Sequence, residues 1–285
     1  MKLVLGGAQF GLNYGVTNIH GQVTQQTLAD ILVVAAQHGI AQIDTAPAYG
    51  DCESVLGQLA PSGFEYISKV SHCDKPQQLE KSVLHSLAML RTESLHGLLF
   101  HNETTLLTKE GQALLQQAQA MQSAGLIKNI GVSFYTPELV EDIVNKFPLD
   151  FIQCPVNLLD QRFTTQPITS LLAKRHVKLH ARSIFLQGLL VAPELPTKFQ
   201  AYSSYFKAVK ELSRDLNCSP LSLALAIAVQ NSHIDKILVG CCAAEQLIEV
   251  VNAYQRAENL KVDMSTLKRL ACKEQQLINP TLWPI

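Results

Sequence analysis

A chain that alternates short apolar runs with helix-length amphipathic segments eight times over has few folds open to it. Here the short runs are Leu3 to Leu5, Ile40 to Asp44, Phe64 to Val70, Gly97 to Phe100, Ile127 to Val132, Phe151 to Cys154, Val177 to Ala181 and Ile234 to Val239. Each has the length and continuous apolarity of a strand buried on both faces. Between them lie residues at helical spacing: Leu28-Ile31-Leu32-Ala35-Ala36 before His38-Gly39, then Glu53 to Leu59, Pro76 to Met89, Thr108 to Ala124, Pro137 to Val144, and a helix begun by Ile168 to Ala173. Tyr205 to Leu216 and Leu221 to Val229 read as helices before the last strand, and Ala244 to Ala257 as the helix after it. Eight strand-helix alternations are what a closed parallel barrel demands, so the expected fold is α/β, a (β/α)8 TIM barrel. No linker, low-complexity tract or repeat divides the 285 residues, and residues 1 to 285 are expected to form one domain. Gly188 to Ser204 reads as a long loop after strand seven, of the kind that forms lids or binding loops. The tail from Val262 adds a helix and then Asn279 to Pro284, which cannot continue one; it is placed to close one mouth of the barrel.

Three successive runs stop at titratable groups. Ile43-Asp44 is followed by Thr45-Ala46-Pro47-Ala48-Tyr49-Gly50, the third run ends at Ser68-Lys69-Val70, and the fourth ends at Phe100-His101. In a parallel barrel the C-terminal strand ends share one face, where the loops gather and active sites sit. Asp, Tyr, Lys and His therefore meet at one mouth, which points to proton transfer. Reducing a carbonyl by hydride needs an acid near the oxygen, and a Tyr of reference pKa ~10 is a weak one. An ammonium at Lys69 would favour the phenolate of Tyr49 and lower that pKa, Asp44 would keep Lys69 charged, and His101 would hydrogen-bond the substrate oxygen. Singly, each residue is as well explained by packing or by a structural ion pair; the four together are not.

With these motifs in this order the chain resembles the aldo-keto reductases, and the resemblance covers nearly its whole length. Similar segments continue through Gly131-Val132-Ser133, Ile152 to Asn157, Ala181 to Gly188 and Val239 to Leu247. The resemblance implies Tyr49 as acid in reduction and base in oxidation, Lys69 and Asp44 as its tuning pair, His101 as orienter, and hydride from NADP(H) or NAD(H). It also implies that Ser133, Gln153 and Asn157 hold the nicotinamide amide. Arg182 stands where an aromatic usually stacks on the nicotinamide, and a guanidinium plane can stack too, so Arg182 and Ser183 beside it are implied for the cofactor; Phe134 stands where Asn often follows the Ser, which puts one amide contact in doubt. Leu186, Gln187 and Gly188, with Gly240 and the start of the last helix, are implied for the pyrophosphate. The adenosine 2'-phosphate is commonly gripped by cations at a position that is Gln246 here. A neutral Gln beside Glu245 implies only a modest preference for NADPH over NADH.

A net charge of -1 and a pI near 6.7 leave no basic footprint for nucleic acid, and no dense Lys/Arg run offers itself to an anionic membrane. The expected partner is a small carbonyl compound or sugar; the oligomeric state is not legible. Seven Cys, with no C-x-x-C pair, and no signal-like or ~20-residue apolar run suggest reduced thiols and a cytoplasmic protein. None of the nine His sits at H-x-x-x-H spacing on a helix and no Cys/His cluster has a zinc pattern, so no metal is expected. No G-x-G-x-x-G opens a strand-helix unit, so a Rossmann domain is not indicated. Two other functions share the barrel: a lyase forming a Schiff base on Lys69, against which Asp44 argues by keeping the amine protonated, and a nucleotide-binding regulatory subunit. Trp283 reads equally as a pocket wall or a hydrophobic plug.

Overall fold

Eight parallel strands hydrogen-bond in sequence order and close on themselves, β1 pairing with both β2 and β8. They are β1 (Leu3–Gly6), β2 (Gln42–Asp44), β3 (Glu65–Val70), β4 (Gly97–Phe100), β5 (Ile130–Ser133), β6 (Phe151–Pro155), β7 (Lys178–Arg182) and β8 (Lys236–Val239). The structure is a computed structural model and describes residues 1–71 and 73–283. Pro284 and Ile285, the end of the expected tail, lie outside the described residues.

Helices alternate with the strands: α1 (Ala8–Gly11), α2 (Gln25–Gln37), α3 (Cys52–Leu59), α4 (Pro76–Leu90), α5 (Gly111–Ser123), α6 (Val140–Lys146), α7 (Gln166–Arg175), α8 (Ser203–Asp215), α9 (Pro220–Val229), α10 (Ala244–Asn259), α11 (Met264–Lys268) and α12 (Gln275–Ile278). Local chemistry sets their ends. Thr24 caps α2 by accepting the Thr27 N–H, and Ser219 caps α9 ahead of a Pro in its first turn. The sequence places three strand starts two or three residues too early, one of them Ile234, whose N–H donates to Asn231 O ahead of β8. Ile40 donates its N–H to Ala35, which ties it to the end of α2, and Ile127 makes only an isolated bridge to Leu95. The helix after β5 opens with a 3-10 turn, Pro137–Leu139, and the long loop after β7 contains another, Thr197–Tyr202.

The described part of the tail does not line the barrel mouth. It packs beside the loop after β6, where Cys272 N–H donates to Leu159 O at 2.8 Å and Gln161 Nε2 to Leu267 O at 2.9 Å. Trp283 is a buried plug: its indole N–H meets Leu277 O at 3.0 Å and its ring lies 4.9 Å from that of Phe199.

The barrel interior explains the site. Ile67, Leu99 and Phe151 form a core of their own, apart from the core that faces the helices. A Cβ on Gly131 would come 2.6 Å from the Phe151 carbonyl oxygen and one on Gly97 2.9 Å from the Phe151 ring, so those glycines make room for it. Side chains alternate along a strand, so two residues on the chain points inward again. From Ile67, Leu99, Gly131 and Phe151, that step reaches Lys69, His101, Ser133 and Gln153. Apolar packing below thus positions a polar row above, at the C-terminal mouth.

Candidate active site

The row begins with a buried ion pair. Asp44 and Lys69 are each 3% exposed, and the Lys69 ammonium bonds one Asp44 oxygen and donates to the Thr45 carbonyl at 2.9 Å. The other Asp44 oxygen accepts Gln153 Nε2 at 2.8 Å. Taking two ions out of water is costly, and such a pair persists where close geometry and further hydrogen bonds offset the loss. Lys69 Nζ lies 4.9 Å from the centroid of the Tyr49 ring. Tyr49 is held by a tight loop: its N–H bonds Ala46 O, and a Cβ on Gly11 would overlap its carbonyl oxygen. Gly11 of α1 therefore lets the Tyr49 loop seat. The His101 ring meets Tyr49 edge-on at 6.4 Å.

Charge states follow from these contacts. Burial works against the Lys69 ammonium, but Asp44 and then Tyr49 outweigh it, and its pKa is raised. Burial pushes the Tyr49 phenol up; Lys69 pulls it down without reversing the shift, and Asp44 adds to the rise. This corrects the net lowering expected from the sequence, which gives Lys69 its sign but not the depth of burial. Burial, with Lys69 next, lowers His101 to about 4, so its imidazole is neutral at pH 7.

All four groups open on a cavity of about 590 Å³, ordinary for a small-molecule site. Ser133, Gln153, Arg182, Ser183, Gly188, Gly240 and Gln246 line it too. Asn157 and Leu186 do not. Asn157 is fully buried with its side chain spent on backbone of two loops, Oδ1 accepting the N–H groups of Leu159 and Asp160 and Nδ2 donating to Ser183 O. Leu186 has φ 49° and turns its side chain into the core, leaving Gln187 and Gly188 to face the cavity. Phe134, fully buried, is a core residue, and the cavity residue is Tyr135, one further on. Sequence reasoning missed Tyr135, which the two-residue step from Ser133 would have reached. It also missed the loop after α1, where Tyr14 and Thr17 line the cavity and Thr17 Oγ1 donates to Gln187 O at 3.2 Å. A Cβ on Gly188, at φ 93°, would strike Thr17, so glycine is required at that crossing.

Two features fit a dinucleotide. Gln153 Oε1 is buried without a hydrogen-bond partner, and because Asp44 must face an N–H donor, the amide cannot be turned round. An amide NH2 is the complement of that orphaned oxygen, beside the Ser133 hydroxyl. The first turn of α10 reaches the cavity at Gln246, and Ala243 before it gives no side-chain cap, so a helix N-terminus of the kind that suits an anion adjoins the cavity. Cys242 N–H is already bonded to Gln246 Oε1 at 2.7 Å. The lining contains two long cations, Lys69 and Arg182, both at the Tyr49 end, and a carboxylate, Glu249, near Gln246. Among the described residues no group of three or more His, Cys, Asp or Glu is arranged to hold a metal, and no helix is long and apolar enough to cross a membrane.

The Aldo/keto reductase family model matches residues 2–271. A curated relative, the uncharacterized oxidoreductase YqkF of Bacillus subtilis, is 23% identical over 252 residues, 78% of this chain and 80% of the relative. The fold is similar to that of aldo-keto reductase AKR11C1 from Bacillus halodurans in its holo form, with TM-score 0.80 and 17% identity over 96% of this chain and 94% of that one. It is also similar to the glycerol dehydrogenase AKR11B4 from Gluconobacter oxydans, with TM-score 0.74 and 20% identity over 100% and 93% of the two chains.

Proposed function

The chain belongs to the aldo/keto reductase family of NAD(P)H-dependent oxidoreductases, and on that premise we propose that it interconverts the carbonyl and alcohol forms of a small aldehyde, ketone or sugar, with Tyr49 moving the proton. The observation that carries this reading is the Tyr49 ring beside a buried ammonium, both open to one cavity with a neutral imidazole. A bound reduced nicotinamide supplies the hydride. In reduction Tyr49 gives its proton to the carbonyl oxygen as the carbon is reduced, which leaves a tyrosinate that takes a proton back from water. The raised pKa keeps Tyr49 protonated beforehand, and Lys69 stabilises the anion formed. His101 donates a hydrogen bond to the oxygen without carrying charge. Gln153 and Ser133 would hold the carboxamide of the cofactor, and the first turn of α10 with Gly240 would receive its pyrophosphate. Lys69, held charged by Asp44, is a poor Schiff-base nucleophile.

The barrel and its tail act as one domain, and the seven unpaired cysteines suit the reducing cytoplasm. Tyr49→Phe removes the proton donor and leaves the cofactor contacts, so turnover on a carbonyl panel is expected to fall ~10²-fold or more with NADPH binding little changed. A near-wild-type rate overturns Tyr49 as the acid.

A further inference from the structure

Arg182, which the resemblance puts where a side chain stacks on the nicotinamide, has the Tyr135 ring against it and, among the described residues, no carboxylate partner. It ends β7 on the inward row, half-buried, and lines the cavity with Tyr49 and His101. Its Nη2 donates to Phe134 O at 3.1 Å and its Nη1 to Ser183 Oγ at 3.4 Å, and its Cζ lies over the Tyr135 ring, 4.0 Å from the centroid. Among the described residues it forms no ion pair, whereas the neighbouring Lys69 is neutralised by Asp44. The Tyr49 end of the cavity therefore carries one uncompensated positive charge. Tyr14 and Tyr135 add phenols beside it, and burial pushes Tyr14 up to about 12, so it remains an O–H donor. Arg182 also helps hold His101 in its neutral form, which places its field at the reacting end of the cavity.

A guanidinium stacked on an aromatic face has its fork held in one orientation, and a fork of N–H donors matches a carboxylate or phosphate. We propose that the carbonyl substrate carries an anionic group, a carboxylate or a phosphate near the carbonyl, and that Arg182 grips it while Tyr135 positions the fork. This rests on the reductase reading above and narrows it to a substrate class.

The test compares carbonyl compounds of equal length ending in a methyl, a carboxylate or a phosphate, with wild type, Arg182→Met and Arg182→Lys, and with NADH and NADPH Kd measured by fluorescence on each. Wild type is expected to prefer an anionic compound by about tenfold or more in kcat/KM, expressed mainly in KM. The carboxylate and phosphate arms show which anion is favoured. In Arg182→Met the anionic-to-neutral ratio should collapse toward one, and Arg182→Lys should restore part of it. Equal use of neutral and anionic compounds by wild type overturns the proposal and leaves the reductase reading intact. A wild-type ratio retained in Arg182→Met, with only the cofactor Kd weakened, overturns it by assigning the guanidinium to the cofactor. Failure of wild type to reduce any of the compounds removes the reductase reading itself.

Discussion

The barrel mouth and the loop after β6 each bury a carboxylate against a cation, and we propose only the mouth as a site. At the mouth, Asp44 and Lys69 come from adjacent strands with side chains 5% and 2% exposed. In the loop, Asp160 is fully buried and Arg162, two residues on, chelates it through Nε and Nη2, both at 2.8 Å, with its side chain 20% exposed. The third partners differ. Arg162 Nη1 reaches Gln275 Oε1 in α12 at 3.1 Å, so this pair fastens the tail to the barrel. Lys69 instead lies 4.9 Å from the ring of Tyr49, the proposed proton donor, which opens on the cavity. Burial and pairing alone do not mark an active site; what the cation is left to act upon does.

Breaking each pair should separate the two roles. Lys69→Met removes the ammonium that stabilises the tyrosinate, and turnover is expected to fall between ~10²- and ~10⁴-fold. Because Lys69 pulls the Tyr49 pKa down, its loss raises that pKa further. Alcohol oxidation needs the tyrosinate, so the oxidative pH optimum of the residual activity should move upward. An unmoved profile would count against tuning by Lys69. Arg162→Met strands the Asp160 carboxylate and should cost about 3 kcal/mol of stability, the low end for a broken buried pair because Arg162 is partly exposed. Its kcat/KM, measured well below the melting temperature, should stay near wild type; a large loss there would show that the loop pair serves the chemistry too.

Two imidazoles sharpen the contrast between mouth and interior. Burial lowers His101 to about 4 at the mouth and His180 to about 3 inside the barrel, where the His180 ring lies 4.6 Å from that of Phe151. A free His titrates near 6.5, so the unfolded chain binds more protons as pH falls. The stability these groups contribute is present above about pH 6.5 and is lost progressively on acidification toward pH 4 and below. Thermal melts across that window should fall with pH, and carbonyl reduction should show no break near pH 6.5 from His101. Such a break would mean that His101 is charged during turnover.

Much of the site was legible because strands have a period of two. Lys69, His101, Ser133 and Gln153 each stand two residues beyond an inward-facing core position, and Asp44 ends an apolar run in the same way. Loops carry no such period. Asn157 is turned inward by hydrogen bonds to backbone it caps, and Leu186 by positive φ, and neither shows in a pattern of residue types. Tyr14 and Thr17 reach the cavity through a crossing with Gln187, 170 residues away from Thr17, which sequence order cannot foretell. The raised pKa of Tyr49 was hidden for a related reason: burial is a property of the assembled mouth.

The smallest expected effect belongs to a third carboxylate, Glu249, which forms no ion pair among the described residues and lines the cavity one turn beyond Gln246. Here the resemblance puts the 2'-phosphate, and among the described residues that line the cavity the Lys and Arg side chains are Lys69 and Arg182, at the Tyr49 end. Gln246 has its carbonyl oxygen taken by Cys242 N–H, which leaves a neutral NH2 as donor. A neutral rather than charged hydrogen bond forgoes about 1.5 to 3 kcal/mol, roughly a ten- to hundredfold factor. The N-terminus of α10 still favours an anion by up to about 1 kcal/mol, and Glu249 opposes it. The NADPH over NADH ratio in kcat/KM should therefore lie below ~100. Gln246→Arg should raise it, but only several-fold, because Glu249 sits three residues on and competes with phosphate for the new guanidinium. Adding Glu249→Gln to that substitution should widen the ratio further. A wild-type ratio above ~1,000 would instead require a cation at this end of the cavity that the fold does not supply.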